Sequence, residues 1–98
     1  MALFVVRHQH SADTCPAGDP EMGPMLVSHL SKANAASLGI RIHGEAVIHG
    51  HALYMILDAP DQERVQEFLA PSSQAGTVGI WRGDPCETAV ARGNCDVV

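Results

Sequence analysis

Apolar residues along this chain recur with two periods, and the alternation between them predicts six elements. ALFVVRHQH, Ala2 to His10, begins with β-branched and aromatic residues and predicts a first strand. SADTCPAGDPEMG follows as a loop punctuated by Pro16, Gly18 and Pro20. Between about Pro24 and Leu38 the residues Met25, Leu26, Leu30 and Ala33 recur at helical spacing, with Gly39 placed as a C-terminal cap. Asp19 and Pro20 leave an earlier turn open as an alternative, which Pro24 would interrupt. IRIHGEAVI, Ile40 to Ile48, alternates apolar and polar positions, ALYMIL, Ala52 to Leu57, is almost wholly apolar, and HGH between them reads as a tight hairpin turning at His49 and Gly50. Pro60 opens a short helix with Val65, Phe68 and Leu69 on one face, and Pro71 is expected to end it. GTVGIWR, Gly76 to Arg82, predicts a fourth strand, and residues 84–98 carry the weakest pattern.

Strand, helix, strand, strand, helix, strand is the ferredoxin-like βαββαβ order, an α+β class in which a four-stranded antiparallel sheet has the order four, one, three, two and both helices on one face. The expectation is a single ferredoxin-like domain over residues 1–98. A sheet with one solvated face should alternate strictly, yet ALFVV and ALYMIL are apolar at both parities, so the face away from the helices also needs a cover. A second copy packed sheet against sheet, a homodimer, is the economical one. In this respect the chain resembles the dimeric α/β-barrel group. The loop Ser11-Ala12-Asp13-Thr14-Cys15-Pro16 is similar to a Ser/Thr-Ala-x-x-Cys-Pro segment of small uncharacterised proteins in that group. The resemblance implies a fold and a dimer but transfers no reaction, because the group includes metal binders, cofactor-free monooxygenases, isomerases and haem enzymes.

Composition narrows the classes. Ninety-eight residues with 46% hydrophobic and 17% charged fit an ordinary globular chain whose core, with four aromatics, must be aliphatic. Eleven acidic against six basic residues give a net charge of −5, and Lys32 is the single lysine, so no basic stripe is available for nucleic acid. Ala2 to Val6 is too short for a signal-peptide core, and no stretch is long enough to span a bilayer, so no membrane partner is expected. Three cysteines, Cys15, Cys86 and Cys95, cannot all pair within one chain, which fits a reducing, cytoplasmic setting. No Cys-x-x-Cys pair and no nucleotide-binding motif occurs.

The remaining chemistry is mostly histidine. Residues two apart on a strand share a face, so His8 and His10 project with Phe4 and Val6, roughly 7 Å apart. Along the second strand Arg41, His43, Glu45, Val47 and His49 are expected to share the face away from the helices. In the ferredoxin-like order strands one and two run parallel, which brings the HGH hairpin to the end where strand one finishes. His8, His10, His49, His51 and the Cys15 loop then converge on one end of the sheet, with His51 nearest His10. In a two-residue turn Ile48 would pair with His51, placing His51 on the helix face and His49 on the other.

Several imidazoles with a thiolate suit zinc, nickel, cobalt or copper, whereas magnesium and calcium prefer oxygen ligands. One reading is therefore a small dimeric protein binding a transition metal through His8, His10, His49, His51 and Cys15. The alternative is a dimeric α/β-barrel enzyme of monooxygenase or isomerase type, acting on a small organic ligand in a cleft. His10, Tyr54 and Cys15 are its candidate acid, base or nucleophile, and an apolar pocket between sheet and helices would favour it. The plain reading makes His8 and His10 a polar strand end and His29 a packing histidine. It pairs His43 with Glu45 or sets it at the dimer seam, and gives Trp81, Arg82 and Asp84 to edge packing.

Overall fold

A computed structural model of the chain describes residues 1–73 and 76–96. Its element order is β1 (Ala2–Gln9), α1 (Met22–His29), α2 (Lys32–Ser37), β2 (Arg41–Ile48), β3 (Ala52–Ala59), α3 (Gln62–Ser73), β4 (Thr77–Gly83) and α4 (Cys86–Arg92). The four strands form one antiparallel sheet in the order β2-β3-β1-β4, so the fold is α+β with the expected βαββαβ arrangement. Phe4, Val6, Met55 and Leu57 from one sheet face pack with Leu30, Ala35, Val65, Phe68 and Leu69 from α1 to α3 in a single buried cluster. The crossover helices thus lie on that face.

The segment between β1 and β2 departs from one continuous helix. Leu30 caps α1 and Ser31 begins α2, its hydroxyl accepting from the Asn34 N–H at 3.2 Å. This break resets the helical phase, so Ala35 is buried where Ala33 was expected, and Met25 stands 69% exposed. Asp19 provides the earlier turn: its carboxylate accepts from the Met22 and Glu21 N–H groups, hydrogen bonds that lower its pKa from the ordinary carboxylate value. Pro24 is tolerated because it falls in the first turn of α1, where no intrahelical donor is needed. Gly39 has the positive φ of 74° that its capping role requires.

Two other expectations are corrected, and the stretch of weakest pattern takes form. Pro71 lies inside α3, which runs on to Ser73, because Ser72 continues the buried face of Val65, Phe68 and Leu69 at helical spacing and packing outweighs one lost backbone bond. Residues 86–92, where the pattern is weakest, form α4, closed by left-handed Gly93 and tied back by the Arg92–Asp84 ion pair at 2.8 Å. Most consequential is an irregularity in β2: Ile42 pairs with Leu57 and Gly44 with Ile56, which leaves His43 as an extra residue. Beyond it every side chain changes face. Glu45 and Val47 now stand opposite Met55 and Leu53 on the helix side, while Ala46 and Ile48 join Tyr54 and Ile56 on the open side.

That open side is apolar in its middle. Ile48, Ile56 and Trp81 are each about half exposed, and the Arg7 guanidinium sits 5.3 Å from the centroid of the Trp81 ring. Among the described residues no helix is long and apolar enough to cross a membrane.

Candidate functional site

β1 alternates strictly below its apolar half: Phe4, Val6 and His8 are buried, and His10 follows on the same face just past the last paired residue. His8 is 3% exposed, because β4 enters beside it at Gly76, where a built Cβ would stand 3.0 Å from His8 Nε2 and closer still to the Gln9 carbonyl. Only glycine fits there.

The hairpin supplies the next ligand, by a different turn from the one predicted. Ile48 pairs with Ala52, so His49, Gly50 and His51 form a three-residue loop, with Gly50 at φ 89° and His51 at φ 57°. A left-handed histidine is uncommon and costs on the order of 1 kcal/mol. It is held by the His10 N–H donating to the His51 carbonyl at 3.2 Å, which pins the loop to the end of β1. The imidazoles of His10 and His51 meet with centroids 5.2 Å apart, and His8 and His10 with centroids 5.6 Å apart.

Cys15 comes from the loop above. Ser11 to Thr14 fold into a 3-10 turn, closed by Thr14 N–H to the Ser11 carbonyl and by contact between the two hydroxyls, and a second turn spans Pro16–Gly18. Between them Cys15 reaches back over the strand end. One ligand atom each from His10, Cys15 and His51 lies within 4.8 Å of the others, and all three residues are half-buried. His49 is exposed and outside this group, and Tyr54 stands on the opposite face of the sheet, paired across from Arg7. Cys86 and Cys95 follow the end of β4, whose Gly83 pairs with Leu3 at the far end of β1.

The surroundings of His10 favour its neutral imidazole. Both ring nitrogens of His10 and Nε2 of His8 are buried without a hydrogen-bond partner among the described residues. Burial first, then the neighbouring His8 and His51, lower the His10 pKa below its ordinary 6.5, which favours the neutral ring with one nitrogen lone pair free. His29 is the opposite case, with Nε2 2.7 Å from the Phe68 carbonyl and Nδ1 3.4 Å from the Asn34 amide. His43 pairs with Asp58 at 2.8 Å, not with Glu45.

A cavity of about 680 Å³ opens between the sheet and α1 directly over the group, lined by His8, His10, Cys15 and His51 and walled by Pro24, Leu26, Val27, Val47 and Leu53. The sequence pattern signalled the apolar face of α1 but not the cavity. Val47 enters it through the β2 irregularity, for which the isolated Gly44 within the strand is the one local mark. No family model, no curated protein and no solved structure matches the chain.

Proposed function

We propose that this protein binds a transition-metal ion, zinc, nickel, cobalt or copper, through His10, Cys15 and His51, with His8 beside them. The observation that carries this is the approach of three ligand atoms of the right chemistry to within 4.8 Å in a half-buried corner. Ligand atoms around a tetrahedral zinc stand roughly 3.3–3.6 Å apart by its usual bond lengths, so side-chain rotation of about an ångström closes the set. An ion would also give a partner to buried imidazole nitrogen, whose orphaned state otherwise costs about 1–3 kcal/mol.

Protein stripped with chelator and offered zinc, nickel or copper is expected to take up close to one ion per chain by elemental analysis. His10→Ala with Cys15→Ser should weaken uptake by about 100-fold or more, since loss of mere outer-shell partners already costs 10–100-fold. His49→Ala should leave it unchanged. Wild-type protein that takes up none of the three metals ends this reading.

The same chain is proposed to pair as a homodimer of the dimeric α/β-barrel type, sheet against sheet, for which the half-exposed Ile48, Ile56 and Trp81 on the open face are the support. Its three free cysteines suit a reducing compartment such as the cytoplasm. The second reading, an enzyme of monooxygenase or isomerase type acting on a small organic molecule, draws on the cavity beside His10 and Cys15. In it His10, neutral by its lowered pKa, serves as the base. Retention of that activity by chelator-stripped protein separates it from the first.

A further inference from the structure

The metal group sits at the floor of a cavity whose other walls are apolar, and the two features together specify a ligand. Three protein ligands leave a zinc ion one open position, which a water or a bound molecule fills. Among the described residues no Asp, Glu, Lys or Arg lines the cavity above it; apart from the histidines and Cys15, its polar side chain is Ser28. Its volume of about 680 Å³ falls in the range of small-molecule sites.

Two further observations point to an occupant. Val27 on α1 and Val47 on β2 line this cavity yet are 73% and 72% exposed, so an apolar body resting there would cover both. His8, 3% exposed and with Nε2 unpartnered among the described residues, also lines the cavity next to His10.

We infer that the site takes a small amphiphile, one metal-coordinating head group such as a carboxylate, thiol or hydroxamate on an apolar body, with the head on the ion held by His10, Cys15 and His51 and the body against Val27, Leu26 and Val47. The inference rests on the metal reading and adds to it the class of ligand. A buried charge on the body would find no partner in these walls, so charged tails are rejected.

The test uses the full chain, zinc-loaded and zinc-stripped, with its zinc content measured separately by elemental analysis. Octanohydroxamate, acetohydroxamate and octanamide serve as probes, followed by calorimetry. Zinc-loaded protein is expected to bind octanohydroxamate at least about tenfold more tightly than acetohydroxamate, because the added methylenes are buried. It should bind octanamide, which lacks the head, at least about tenfold more weakly than octanohydroxamate, and zinc-stripped protein should lose the preference for the hydroxamate. Val27→Asn with Val47→Asn, both at exposed positions, should reduce the tail advantage several-fold with zinc content unchanged. Zinc-loaded protein that binds the long and short hydroxamates equally, or octanamide as well as octanohydroxamate, overturns the inference while the metal reading stands. Protein that takes up no zinc overturns both.

Discussion

His29 and His10 are the same side chain at the same half-buried depth, in opposite chemical situations. A carbonyl oxygen only accepts, so the contact at 2.7 Å makes His29 Nε2 the protonated nitrogen, donating to Phe68, and Nδ1 the acceptor for the Asn34 amide at 3.4 Å. Its ring also stacks on Phe68 with centroids 5.7 Å apart. His29 therefore fastens α1 and α2 to α3. Among the described residues His10 has no partner on either nitrogen, and two other imidazoles lie against it. One histidine is fully used by the fold. The other is held by the fold and left unused, which is what a ligand-binding group requires and what a packing group avoids.

The contrast can be broken by substitution. His29→Ala is expected to cost roughly 2–3 kcal/mol in urea unfolding, from two lost hydrogen bonds and a stacked ring, with zinc uptake unchanged. A change in uptake without a change in stability would erase the distinction between the two residues. His10→Leu should do the reverse in metal-free protein, shifting stability by less than about 1 kcal/mol or raising it, because an apolar isostere leaves no orphaned partner behind. A loss as large as that of His29→Ala would show that His10 has a structural partner after all.

The smallest effect is in pH. His10 is harder to protonate in the folded chain than in the unfolded one, whose histidine titrates near 6.5, so the unfolded state gains protons first as pH falls. Its contribution to stability is complete above that value and is lost as pH falls from about 6.5 toward the lower folded value. Metal-free His10→Leu should accordingly show a shallower decline in melting temperature between pH 7 and pH 5 than wild type. Parallel profiles would mean that the imidazole is solvated like an ordinary one.

Much of this contrast is legible in the residues, and some is not. His8 and His10 sharing a face with Phe4 and Val6 follows from the two-residue strand period, and the approach of the hairpin to the end of β1 follows from the βαββαβ order. The form of the hairpin does not follow. A two-residue turn and a three-residue turn both fit HGH, and pairing of Ile48 with Ala52 selects the three-residue one, with His51 left-handed beside His10 and His49 exposed. Likewise Tyr54 looks equivalent to the histidines until the β1–β3 register sets it opposite Arg7 on the other face.

Sequence alone determined what depends on neighbours in the chain: strand period, the capping glycine, the element order and the stock of histidine and cysteine at one end of the sheet. Tertiary structure decided what depends on register. The extra residue at His43 turned Val47 into a cavity wall, the three-residue loop set His51 in a left-handed conformation against the end of β1, and the paired 3-10 turns brought Cys15 over the strand end. A slip of one residue reverses every side chain beyond it, and its free-energy cost is settled by packing across the sheet, which no local pattern encodes.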